Sequence, residues 1–167
     1  TTNRRFRDLN GWYHIQVTWD TTQSTAADRI RIYVNGSEET SLFASANATL
    51  NADGVMNTNR AHYLSSNAGS SMFFEGLMSH VHFTDGYAYA PTTFGEVDAT
   101  TGIWKIKTDP SVTYGNNGFF LFKDNAAVTD QSGNSNNYAL GGGTLVNTQD
   151  CPSNVFCTWK YHDNVGG

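Results

Sequence analysis

Residues 12 to 20, WYHIQVTWD, alternate between two kinds of side chain: Tyr13, Ile15, Val17 and Trp19 share one face, and Trp12, His14, Gln16 and Thr18 the other. A period of two is the signature of a half-buried strand. The polar link TTQSTAA follows, and DRIRIYVNG then repeats the pattern, with Ile30, Ile32 and Val34 set against Arg29, Arg31 and Tyr33. It ends in Asn35-Gly36, a pair that tolerates the positive φ angles of a tight type I′ turn. The spacing predicts an antiparallel hairpin of these two strands, with the Ile and Val face in the core and the Arg and Tyr face free. After the turn, residues 37–59 read as a short strand followed by loop. Residues 72–83, MFFEGLMSHVHF, read as the next strand, with Leu77, Val81 and Phe83 on one face and Met78, His80 and His82 on the other. Asp85-Gly86 ends it. In PTTFGE, Pro91 suits a first helical turn and Gly95 a last one, so a single turn of helix is expected. IWKIK (103–107) and FFLFK (119–123) are short apolar runs of strand length, separated by the loop TDPSVTYGNNG. Short strands, no amphipathic helix and many Gly and Asn turns predict an all-β fold, an antiparallel β-sandwich.

Composition agrees. Of 167 residues, 13% are aromatic and only 15% charged, with 16 Gly against 3 Pro, a mixture that suits strands and turns. The net charge of −5 offers no basic surface beyond Arg4-Arg5-Phe6-Arg7, which argues against nucleic-acid binding. No apolar run approaches the ~20 residues of a membrane helix, so membrane insertion is not expected. The opening TTNRRFRD has no signal-peptide pattern and reads as the middle of something longer. Two cysteines, Cys151 and Cys157, lie in CPSNVFC. A local disulfide fits their separation. A structural zinc site does not, for lack of two further ligands. Gly141 to Gly143 reads as a joint, dividing a sandwich over 1–145 from a tail or linker over 146–167.

WYHIQVTWD, DRIRIYVNG and FFEGLMSHVHFTDG together resemble the central strands of laminin G-like, concanavalin A-like lectin domains. The set that follows in order, PTTFGE (91–96), TGIWKIK (101–107), YGNNGF (114–119), DQSGNSN (130–136) and DCPSNVFCT (150–158), resembles one branch of them: structural proteins of tailed bacteriophages of marine and cyanophage type. The motifs span residues 12–159. Each is weak alone and the ordered set is specific. The resemblance implies a jelly-roll sandwich incomplete at its N-terminus, because that family carries further strands ahead of Trp-Tyr-His, and hence a fragment of a longer chain. In many such domains Asp-x-Ser-Gly-Asn opens the fold; here it comes late. It is expected to fold back onto the sandwich, the alternative being the start of a second module.

Four constellations invite chemistry, each with a plainer reading. Glu96 and Asp98 alternate as in glucanases of this fold, where paired carboxyls ~5–5.5 Å apart perform retaining hydrolysis. The third carboxylate is absent and the pair follows a helical turn, so surface or capping roles are expected and no catalysis. His80 and His82 share a strand face, and His14 is the one tempting third metal ligand; ordinary packing or a ligand contact is favoured over a metal site. Asp130, Asn134 and Asn136, with Ser132, set oxygens at alternate spacing, faintly like a calcium loop, although an Asx turn explains the pattern equally. Calcium is the one cofactor considered, and the resemblance raises it. Trp12, on the polar face, is the best placed of Trp12, Trp19, Trp104 and Trp159 for a ligand contact, since Trp19 is in phase with the expected core. Trp12, His14, His80 and His82 are thus the candidate ligand-binding residues.

The resemblance implies a non-enzymatic module of the virion, a head or tail appendage or decoration on the exposed particle surface. Its partners would be other virion proteins, further copies of itself and host cell-surface glycans. The alternative is a carbohydrate-binding lectin domain, calcium-dependent or not.

Overall fold

A computed structural model describes residues 2–42, 47–58, 60–124, 127–148 and 150–152, and every structural statement below concerns these. The elements run β1 (Ile15–Trp19), β2 (Ile30–Val34), β3 (Ser37–Glu38), β4 (Val81–Phe83), α1 (Pro91–Phe94), β5 (Gly95–Val97), β6 (Trp104–Ile106) and β7 (Phe119–Leu121), with single 3-10 turns at Ala26–Asp28 and Val55–Asn57. All pairings are antiparallel. β1-β2-β3 form one sheet, β4-β7 a second and β5-β6 a third. The fold is the expected all-β antiparallel sandwich class.

The Asn-Gly turn behaves as its chemistry demands. Asn35 and Gly36 both take positive φ, 49° and 78°, and the ladder closes at Val34↔Ser37. The helical turn begins at Pro91, as expected. Its Phe94 is buried, as are Phe120 and Leu121 of β7 and Val34 of β2, and the His82 ring lies against both Phe94 and Phe120. Loops cross-tie the ends: the side chain of Asn57 donates to Asp85, and Asn117 donates through its amide to Asn57 Oδ1 (2.7 Å) and through its backbone to Asp85 Oδ2 (3.1 Å).

Two expectations are overturned. The face of β1 assigned to the core is outermost: Ile15, Val17 and Trp19 keep 56%, 60% and 47% of their surface exposed. Its polar face turns inward instead, where Gln16 Nε2 donates to Tyr89 O (2.7 Å) and His14 meets Trp104. On β2 the distinction is weaker still, since Arg31 and Tyr33 are half-buried like Ile30 and Ile32. Alternation fixes which side chains share a face; the segments packing on it decide which face is inner. The second correction concerns 72–83. Only Val81–Phe83 pairs, and Met72, Phe73, Phe74, Leu77 and Met78 are exposed in irregular chain. Positive φ at Met72, Gly76 and His80 breaks the extended run, and an unpaired apolar stretch has no ladder to hold it straight.

The late DQSGNSN segment folds back. Gln131 N–H donates to Phe120 O (2.8 Å), and Tyr138 N–H to Val128 O (2.9 Å). It returns onto β7 without forming a strand. Cys157 and Trp159 lie outside the described residues, and with them the expected disulfide; Cys151 is half-buried.

Candidate functional site

The segment after β7 is a clasp built on Asp130. Its carboxylate is buried at 9% exposure. Oδ1 accepts from the N–H of Phe120 (2.8 Å) and of Ser132 (2.9 Å), and Oδ2 from Ser132 Oγ (2.9 Å) and the N–H of Asn136 (2.9 Å). Burial pushes the Asp130 pKa up, but these bonds together outweigh it and leave the carboxyl below its ordinary value. Asn134 and Asn136 point into the YGNNG loop: Asn134 Nδ2 donates to Gly115 O and Gly118 O, and Asn136 Nδ2 to Asn116 O and Gly118 O, at 2.6–3.0 Å. An amide facing two carbonyls must present its NH2 to them, so that side cannot ligate a cation. The three residues lie together in this segment, as their spacing in the sequence suggested. Their geometry is that of a backbone clasp, with the Asp130 oxygens already committed to four donors.

The histidines gather around the second sheet. His82 lies on the inner face of β4 opposite Phe120, its ring 4.0 Å from that of Phe120 and 5.2 Å from that of Phe94, and its Nδ1 is 2.9 Å from the Tyr114 hydroxyl. Burial, reinforced by the neighbouring charges of His80, His14 and Lys123, pushes its pKa down to about 3. His80 is half-buried, with Nδ1 2.6 Å from Ser79 Oγ, and burial lowers its pKa too. His14 accepts a hydrogen bond on Nδ1 from Trp104 Nε1 (3.1 Å), which fixes its neutral tautomer with the proton on Nε2, and burial keeps it neutral. Among the described residues no three His, Cys, Asp or Glu side chains are arranged to hold a metal ion. The three imidazoles are neutral packing groups at neutral pH.

Trp104 was weighed in the sequence only as a stacking aromatic. It is the joint between the third sheet and the first. A Cβ at Gly36 or at Gly95 would overlap its ring, so both glycines are required where they stand. Trp12 donates from Nε1 to Asp150 Oδ1 (2.9 Å), fastening the end of the described chain beside β1.

The carboxylates of the β5-β6 hairpin are not a catalytic pair. Lys105, opposite Glu96 in the ladder, sits 3.4 Å from Glu96 Oε1 and 3.1 Å from Asp98 Oδ2. Asp98 caps the turn, accepting from the N–H groups of Thr101 and Thr100 and from the Thr101 hydroxyl, and these bonds with Lys105 hold its pKa down at about 2. Asp98 is thus held ionised, and Glu96 is exposed beside the same lysine, whereas a glycosidase needs one carboxyl kept protonated near neutrality.

A polar cluster that sequence reasoning missed lies at the end of the sandwich. Asp85, half-buried, and the exposed Asn57 and Asn117 are hydrogen-bonded to one another, near Tyr87, which is 49% exposed and near-parallel to Tyr89 at 5.9 Å. Asp85-Gly86 was legible as a turn. That Asn117 reaches it depends on the β4-β7 pairing, which no local pattern reveals.

These features define an all-β, antiparallel sandwich-class domain whose polar clusters collect in end loops. Residues 1–92 match the Laminin_G_3 model of the concanavalin A-like lectin/glucanases superfamily, and the chain belongs to that superfamily. The match covers β1 to β4; β5 to β7 and the Asp130 clasp lie beyond it. No curated protein and no solved structure matches the chain.

Proposed function

We propose that the chain is a non-enzymatic module of a bacteriophage particle, an appendage or decoration on the virion surface that assembles with other virion proteins and with further copies of itself and adheres to the host. The motif order from residue 91 to 158 supports the phage assignment. The observation that carries the assembling role is the outward face of β1, where Ile15, Val17 and Trp19 stand exposed in a row on a sheet edge. Contiguous exposed apolar surface marks an interaction site. Peptide mapping by mass spectrometry on purified native particles tests the reading: peptides of this chain alongside capsid or tail proteins support it, and their absence from particles removes the virion role.

A second reading, a lectin domain, is favoured by the solvent-accessible cluster of half-buried Asp85 with exposed Asn57 and Asn117 near Tyr87. Carboxylate and amide groups with an aromatic face are what sugar hydroxyls and ring faces require. On a glycan array, Asp85→Ala and Tyr87→Ala should each lose binding at least tenfold while far-UV circular dichroism is unchanged. Binding that survives both changes moves the sugar site elsewhere. Loss of wild-type binding with a chelator would bring calcium back, as a site other than the Asp130 clasp.

A further inference from the structure

The geometry points to two copies of this chain pairing edge to edge through β1, antiparallel about a two-fold axis at Val17. This deepens the assembling-module reading, on which it rests, by naming the edge and the partner.

β1 is the outer strand of its sheet. Within the β1-β2 ladder, Asn35 N–H donates to His14 O and Asp20 N–H to Arg29 O, both at 2.8 Å, and Gln16 and Thr18 face Tyr33 and Arg31. In an antiparallel ladder, hydrogen-bonded and non-bonded pairs alternate, so the even-numbered residues bond to β2. The N–H and C=O groups of Ile15, Val17 and Trp19 therefore point away from β2, and among the described residues nothing hydrogen-bonds to them. An open edge of this kind is a template for another strand.

Three observations select a second copy as that strand. First, the open groups are spaced symmetrically about Val17. A two-fold there sets Val17 against the partner's Val17 and Ile15 against the partner's Trp19, pairing every outward group of both strands in about six hydrogen bonds. Shifting the register by two leaves part of each edge unpaired. Second, the side chains continue: Ile15, Val17 and Trp19 lie on the same face as Val34, Ile32 and Ile30, so the joined sheet carries one uninterrupted apolar face. Third, the charges agree. The chain is net negative, yet residues 15–19 carry no charge. The antiparallel two-fold keeps the two Asp20 carboxylates at opposite ends of the pair, each beside the partner's neutral His14, whereas a parallel pairing would set two aspartates against each other. The edge also lacks the lysine, proline or bulge that keeps monomeric edges apart.

The test is sedimentation velocity on the full chain over a dilution series, with Val17→Lys as the variant. Val17 is 60% exposed, so the lysine is accommodated by the folded monomer, and far-UV circular dichroism checks that. A concentration-dependent dimer in the wild type, with association weakened at least 100-fold by Val17→Lys, is the expected result. A bismaleimide cross-link through Val17→Cys, located by peptide mapping and missing from a Leu9→Cys control, fixes the register. A dimer indifferent to Val17→Lys sinks this interface and leaves an assembling module. A wild-type monomer at all concentrations, still found in particles, sinks self-pairing and leaves the virion role.

Discussion

His82 is the residue whose chemistry its surroundings change most. The folded protein protonates it only near pH 3, while the unfolded imidazole titrates near its ordinary 6.5. Between those values the unfolded chain binds the extra proton. Stability from this residue is therefore level above 6.5 and is lost as pH falls toward 3, at about 1.4 kcal/mol per pH unit inside the window. His14 and His80, also lowered by burial, act in the same direction. His82→Phe keeps a ring against Phe94 and Phe120 and removes one titrating group. In urea unfolding between about pH 5 and 6, the pH slope of stability should fall by about one proton. An unchanged slope would mean that His82 titrates normally in the folded state. The sequence showed His80 and His82 on one strand face. It did not show that this face is inner, because that depends on Phe94 and Phe120, which arrive from elements 12 and 38 residues further on.

At the scale of elements, the Asp130 clasp substitutes for a strand that the last segment does not form. Four donors converge on one buried carboxylate, and three of them are backbone N–H groups, those of Phe120, Ser132 and Asn136. Asp130→Ala strips all four of their acceptor and should cost about 2–4 kcal/mol. Amide exchange at Phe120, Ser132 and Asn136 should rise together, while exchange along β1-β2 stays as it was. A uniform rise across the molecule would instead make the clasp part of the global unfolding unit. How legible each element was follows from how local its cause is. The Asn35-Gly36 hairpin, the helical turn at Pro91 and the strands at 104–106 and 119–121 are dictated within a few residues, and sequence pattern found them. The Asx geometry of DQSGNSN was equally local, and the sequence offered it as an equal alternative to a calcium loop. Its real partners, the carbonyls of Gly115, Asn116 and Gly118, are set by tertiary folding and gave no sign. Residues 72–80 read as strand because apolar content is local, yet a strand needs a neighbour along its length, and the described segments give them only single backbone bonds, from Phe74 N–H to Ser65 O and from His80 N–H to Phe122 O.

For the whole molecule, the question is what holds three small sheets together when, among the described residues, only Val34, Phe94, Phe120 and Leu121 are buried apolar side chains. Between the first and third sheets the described contacts converge on Trp104. Its indole donates to His14, its ring fills the space that Gly36 and Gly95 leave open, and its strand carries Lys105, which neutralises Glu96 and Asp98 on the far side. Those acids belong to the hairpin's own stability, so Glu96→Gln should leave stability within about 0.5 kcal/mol of wild type, as expected of an exposed pair, and assays on host polysaccharide should show no release of reducing sugar by either protein. Trp104→Ala is the opposite case. It removes a large half-buried ring, orphans His14 Nδ1 in a buried setting and opens a void against two glycines that cannot close it. A loss on the order of 2–4 kcal/mol is expected. The loss should be directional: exchange protection should fall first in β5-β6 and at the Asn35-Gly36 turn, with β4-β7 retained by its aromatic stack and the Asp130 clasp. If β4-β7 loses protection to the same extent, the sheets share one cooperative core and Trp104 is merely part of it. If protection is lost in the order expected, the module is a pair of units joined at one indole, and its outward β1 edge can be altered without disturbing the end loops that carry Asp85 and Asn117.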